Sequence, residues 1–140
     1  MEREDLDLQV CKVSYYKKSR FLYLCLKQNV EFNLVSVKSD FESIHDLKGD
    51  EEILILIDLK DITFEHFPKE SLSFVASNPY NKFQKKMAVV IQTLSHKLIG
   101  NVYLTLFKPR ANTKVFNDYN EAFKWLEVDK ETIDDIVSSL

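Results

Sequence analysis

Two stretches, EILILID at 52–58 and KKMAVVIQ at 85–92, are nearly unbroken aliphatic runs of strand length with charged residues at their edges. A strand with one face in water alternates apolar and polar side chains. A strand that stays apolar throughout is covered on both faces, as in the inner strands of a parallel sheet flanked by helices. The two runs are therefore expected side by side as the spine of a layered α/β domain.

The remaining segments supply partners for that spine. LQVCKVSY (8–15) and RFLYLCLK (20–27), joined by the short polar YKKS, read as an antiparallel hairpin. Neither face of its second arm is plainly polar, so helices are expected on one side and another body, such as a partner subunit, on the other. Asn33 suits a helix N-cap, Gly49 suits its end, and Leu34, Val37, Phe41, Ile44 and Leu47 between them make one buried stripe over 34–48. Pro68 opens a short helix to about residue 77, and Asn78-Pro79 breaks it. Leu94, Leu98, Val102 and Leu106 predict a helix over 94–108 that Pro109 stops, with Gly100 in its middle. TKVF (113–116) is a short strand, and Asp118 with Glu121 forms a capping box ahead of a helix over 119–127.

Strands alternating with helices at this spacing predict a mixed β-sheet with a parallel core, an N-terminal antiparallel hairpin and helices packed on the sheet. Residues 1–128 would form this domain, and 129–140 an amphipathic helical tail with Ile133, Ile136, Val137 and Leu140 on its apolar stripe. So short a helix is marginal alone. It must fold back or dock on another chain, and with the two-sided hairpin strand this predicts a homodimer.

Composition narrows function by exclusion. The chain has two glycines, Gly49 and Gly100, so it cannot build the dinucleotide fingerprint, the P-loop or the GxSxG nucleophile turn, which need glycines within a few residues. Net charge is −3, which gives no reason to expect nucleic-acid binding. The charge is unevenly placed: residues 71–117 carry seven basic and no acidic side chains, against ten and fifteen in 1–70 and two and seven in 118–140. The start, MEREDLDL, resembles no signal peptide, and no run approaches the ~18 apolar residues of a membrane span, so a cytoplasmic protein is expected. Cys11 and Cys25, on the two hairpin arms, stand as near neighbours across the ladder; in a reducing compartment they read as buried thiols and not as a disulfide.

The order of elements, with the segment IGNVYLTLFKPRANTKVFNDYNEAFKWL, resembles STAS-like domains of the SpoIIAA type, the bacterial anti-sigma-factor antagonists, and most of all a group of uncharacterised flavobacterial and cytophagal proteins of this size. The resemblance spans roughly 8–127. It places the group's motif on Asp58 at the end of the central strand, Gly100 and Asn101 in the long helix, Pro109 after it, Phe116 ending the next strand, and Ala122, Trp125 and Leu126 in the closing helix. These residues look structural, and the resemblance implies a SpoIIAA-like fold working through protein contacts. The chain departs from the antagonists where they carry a phosphorylatable serine in an Asp-Ser-Ser-Gly-like turn. Here the stretch is Asp58-Leu59-Lys60-Asp61-Ile62-Thr63, and Thr63, its sole hydroxyl, reads as a local cap, so the phosphoswitch is not carried over.

Candidate sites are few. His45, His66 and His96 lie far apart with no ligand partner at metal-site spacing, so no metal or cofactor is expected. Cys25 with His96 lacks any evident oxyanion hole, and Asp58 and Asp61 read as caps or solvated charge before acid and base. Lys82, Lys85, Lys86, Lys97, Arg110 and Lys114 with His96 form the constellation suited to a ligand, read either as a solvated rim or as a site for a small anion or lipid head group. In the sharper form Lys85, Lys86 and His96 border an anion near the start of the 94–108 helix. An apolar pocket lined by Phe74, Val75, Leu98 and Val102 is the lipid-binding variant. The leading expectation is a non-enzymatic interaction domain with an unknown protein partner.

Overall fold

The computed structural model describes residues 2–62, 68–92 and 112–140. Six strands lie in sequence order across one sheet: β1 (Glu4–Asp7), β2 (Cys11–Tyr16), β3 (Phe21–Leu26), β4 (Ile53–Leu59), β5 (Gln84–Ile91) and β6 (Asn112–Phe116). β1, β2 and β3 pair antiparallel, and β3 to β6 run parallel. The expected mixed sheet is thus present, with the two aliphatic runs as neighbours at its centre. β1 was not anticipated, because EDLD has no apolar alternation; it is an exposed edge strand held by backbone pairing to β2.

The helices are α1 (Leu34–Lys48), α2 (Lys69–Ser77), followed by a 3-10 turn at Pro79–Phe83, α3 (Tyr119–Leu126) and α4 (Lys130–Ser138). Asn33, which accepts the Ser36 amide at 2.9 Å, and Gly49, at φ 68°, bound α1 where the sequence placed its ends; Asp118 caps α3 through the Asn120 amide and not through a box with Glu121, and Asp129, not anticipated as a cap, accepts the Thr132 amide.

Parallel strands added one beside the next by right-handed crossovers keep their connecting helices on one face. Accordingly Ile44 and Leu47 of α1 pack on Cys11, Val13, Leu22, Leu24, Ile53, Ile55 and Met87. The helices after β6 connect no further strand and take the other face, where Ala122, Phe123, Leu126 and Ile136 cover Tyr16, Phe21, Leu56, Ala88 and Val90. Both faces of β3 are therefore buried by the chain's own helices, with Phe21 and Leu22 each 0% exposed. The second covering body expected from sequence is α3 with the tail helix, not a subunit.

The tail folds back by splitting its stripe. Ile136 is fully buried, while Val137 and Leu140 stay exposed. Polar clasps fasten it: Tyr16 donates to Asp135 at 2.7 Å, Arg3 pairs with Asp135, and Ser19 donates to Asp129 at 2.6 Å. The stripe of α1 also differs in detail, since Asp40 and Lys48 are buried with Val37 and Ile44, and Phe41 is half-buried. Asp40 is tolerated there because its carboxylate accepts the backbone amides of Gln9 and Val10.

Candidate functional site

Two polar regions lie at opposite ends of the parallel strands. Where β3 and β4 finish, alternation sends Tyr23, Cys25 and Asp58 to the α3 face. Asp58 is 5% exposed, and its Oδ2 accepts the hydroxyl of Tyr23 at 2.5 Å and that of Tyr119, the first residue of α3, at 2.6 Å. Its Oδ1 accepts the Lys60 amide at 3.0 Å, and the Lys60 ammonium sits 4.6 Å above the Tyr119 ring. Burial, then the hydrogen bond to Asp58, pushes both tyrosines far above the ordinary phenol range. They remain donors. Burial likewise raises the Cys25 thiol, with Asp58 and Asp61 adding to it. Both tyrosine hydroxyls and both Asp58 oxygens are hydrogen-bonded within this cluster.

Cys11 and Cys25 are not the near neighbours across the ladder expected from the hairpin. Cys25 stands opposite Lys12 and Cys11 opposite Leu26, so the alternation of side chains puts the two thiols on opposite faces of the sheet. Burial raises Cys11 further still. Neither thiol is held as a thiolate.

Where β3, β4 and β5 begin, a groove of about 360 Å³ is lined by Ser19, Arg20, Glu52, Lys85, Lys86 and Glu127 and floored by Ile53, Leu54 and Leu126. A bulge makes it. Ile53 pairs with Gln84 and Leu54 with Lys86, so Lys85 is an extra residue, and two consecutive lysines reach one groove instead of opposite faces. Lys86 is already engaged: its ammonium donates to the Trp125 carbonyl at 3.0 Å, satisfying a free carbonyl at the end of α3, and lies 5.0 Å from the Trp125 ring. Phe116 packs on Trp125 at 5.7 Å, and the Lys114 ammonium lies 5.4 Å from the Phe116 ring. The motif residues Phe116, Ala122, Trp125 and Leu126 thus belong to the α3 core, as their structural character implied.

The basic constellation is divided. Lys85 and Lys86 share the groove; Lys114 stands on β6, diagonal to Lys86 by register; Lys82 lies on the 3-10 turn, 5.0 Å from the Phe83 ring. His96, Lys97 and Arg110, with Gly100, Asn101 and Pro109 of the motif, lie outside the described residues, as do Thr63 and His66. Lys85 and Lys86 begin β5; the start of the 94–108 segment, where the anion site was expected to join them, lies outside the described residues. Phe74 and Val75 of the apolar pocket pack against the cluster of Val10, Phe32 and Val37; Leu98 and Val102 lie outside the described residues. His45 pairs with Asp50 at 2.8 Å and stacks near Tyr80. Among the described residues no cluster suited to a metal ion occurs, and no helix is long and apolar enough to cross a membrane.

Sequence reasoning missed Tyr23, Tyr119, Arg20, Glu52 and Glu127. The tyrosines were findable in part, because Tyr23 and Cys25 share a face and Tyr119 follows a cap. The groove was not, since a bulge leaves no mark in the pattern of residues.

Residues 15–130 match the model of a family described as a domain of unknown function, DUF7793. The solved structure of an uncharacterised DUF3478-family protein with a SpoIIAA-like fold, from Shewanella loihica PV-4, is similar over 89% of this chain and 92% of that one, at 15% identity and a TM-score of 0.52. That likeness shows the fold: this chain, too, has a SpoIIAA-like architecture. No curated protein matches the sequence.

Proposed function

The chain belongs to the DUF7793 family, a domain of unknown function, and from that premise we propose that it is a cytoplasmic, non-catalytic interaction domain that self-associates as a homodimer and works through contact with a protein partner. The observation that carries this reading is the closed triangle of Tyr23, Asp58 and Tyr119. In this fold the end of the central strand is where SpoIIAA-type proteins place their switch residue. Here that position holds a buried carboxylate with both oxygens engaged, three of its about four lone-pair sites taken by two hydroxyls and an amide, beside a thiol raised by burial. Such groups hold strands and helix together; a nucleophile or base needs a free lone pair facing a substrate.

The tail supports the contact part of the reading. After Ile136 is buried, Val137 at 49% exposure in the last turn of α4 and Leu140 at 59% just past its C-cap remain as outward apolar side chains. Sedimentation equilibrium of the full chain, from micromolar to near-millimolar concentration, is expected to give twice the monomer mass. Val137→Ser with Leu140→Ser, which leaves Ile136 in place, is expected to return the monomer. A wild-type monomer throughout that range, or substrate turnover that Asp58→Asn abolishes, overturns the reading.

A further inference from the structure

The groove at the start of β4 and β5 holds charged groups that self-association does not use. Three departures from regular backbone converge on it. Arg20 at φ 49° and Glu127 at φ 58° are two of the three non-glycine residues in the left-handed region among the described residues, and Lys85 is the extra residue of the bulge. Each departure brings a charged side chain to the lining. The third, Asn29, does not line the groove and carries no charge, and Gly49, which ends α1 at φ 68°, has nothing within 4 Å of a Cβ placed there. Strained positions that keep a large ionisable side chain cluster at binding sites.

The charges are of both signs and do not cancel one another. Arg20, Lys85, Glu52 and Glu127 are exposed, and among the described residues none makes a side-chain hydrogen bond or ion pair. The other polar lining is engaged already, Ser19 with Asp129 and Thr132, and Lys86 with Trp125. Glu127 caps α3 at its C-terminal, negative end, which favours a cation and repels an anion. A phosphate or an acidic peptide would meet two carboxylates here as well as two cations. Leu54, half-buried over the buried Ile53 and Leu126, gives the groove its apolar surface, and about 360 Å³ lies within the range of small-molecule sites.

We propose that this groove binds a free α-amino acid with an apolar side chain, its carboxylate on Arg20 and Lys85, its ammonium on Glu52 and Glu127, and its side chain against Leu54. The site lies within one chain and does not depend on self-association. A monomer that binds the amino acid overturns the dimer reading and leaves this one standing.

The test is calorimetric titration of the full chain with L-leucine and the other apolar L-amino acids, beside N-acetyl-L-leucine, which lacks the ammonium, L-leucine methyl ester, which lacks the carboxylate, and sodium phosphate. At least one free amino acid is expected to bind, and its N-acetyl and ester forms to bind at least about tenfold more weakly, the loss of one charge-assisted contact. Glu52→Gln and Arg20→Gln, both at exposed positions, are expected to weaken the same amino acid by a similar factor with the far-ultraviolet dichroism unchanged. No binding by any apolar amino acid at about 10 mM, beyond the weak end of useful affinity, overturns the proposal. So does equal binding of the N-acetyl form or of phosphate. The analogue comparison needs no variant, so a misfolded substitution leaves the test decisive.

Discussion

The two ends of the parallel strands carry comparable numbers of ionisable side chains and use them in opposite ways. Where β3 and β4 finish, Tyr23, Asp58, Tyr119 and Lys60 are partnered by one another and Asp58 is buried. Where β3, β4 and β5 begin, Arg20, Glu52, Lys85 and Glu127 face a groove and have no side-chain partner among the described residues. The density of polar groups does not mark a site. What separates the two ends is whether the hydrogen-bonding capacity is closed within the fold or left facing solvent, and substitutions at each end therefore differ in kind.

The largest effect is expected at the closed end. Asp58→Ala leaves two part-buried hydroxyls and an amide without their acceptor; at about 1 kcal/mol per stranded donor, the low end for groups that water can reach, the loss is about 3 kcal/mol, read as a lower urea midpoint. The tyrosines add a pH signature. Their folded pKa is raised above the ordinary value near 10, so the stability they contribute is whole below about pH 10 and lost as pH rises beyond it. Tyr23→Phe with Tyr119→Phe is expected to flatten that alkaline loss. If Asp58→Ala unfolds at the wild-type midpoint, the end is not closed in the sense argued.

Next in size is the tail, where one helix carries both behaviours. Ile136→Ala empties a fully buried position against Phe21 and Phe123 and is expected to cost about 2–4 kcal/mol, whereas Val137→Ala, one residue on and exposed, is expected to stay within about 0.5 kcal/mol in the monomer. Acid should loosen the same element. The Tyr16 hydroxyl, with Arg3, holds Asp135 below the usual carboxylate range, and Ser19 and Thr132 hold Asp129 down against the opposing effect of burial. A depressed folded pKa contributes stability above the unfolded value near 4 that is lost as pH falls through the folded one. The change is therefore expected below about pH 4, seen in the fluorescence of Trp125, the single tryptophan, which packs in the cluster that α4 covers.

Much of the architecture was legible because it follows from periodicity and caps. The bounds of α1 come from Asn33 and Gly49, and the central strands from runs with no polar interruption. What was illegible depends on residues distant in sequence. Asp40 sits on the buried stripe of α1 and reads as an ordinary surface carboxylate until the β1–β2 turn offers it two amides. Tyr23 and Tyr119 meet Asp58 across 35 and 61 residues of chain. Lys85 and Lys86 should face opposite ways on a regular strand, and a single bulge brings them to one groove. The tail stripe was read correctly as apolar, but pattern alone cannot divide it between the chain's own core and its surface.

The smallest effect is the most discriminating, because its sign is reversed. At φ 58° a glutamate side chain pays the left-handed penalty that a glycine avoids, partly offset by the greater freedom glycine gains on unfolding. Glu127→Gly is therefore expected to stabilise the domain by roughly 0.5 kcal/mol, seen as a slightly higher urea midpoint. Glu127 makes no side-chain hydrogen bond or ion pair among the described residues, so none is lost. The same substitution should weaken binding of an apolar amino acid at least about tenfold. Stability and binding would then move in opposite directions at one residue, as expected where strain is kept for a ligand. At Asp58 stability alone is expected to move, since the bonds its carboxylate makes are within the fold. A Glu127→Gly variant that is both less stable and unchanged in binding would erase the distinction between the two ends.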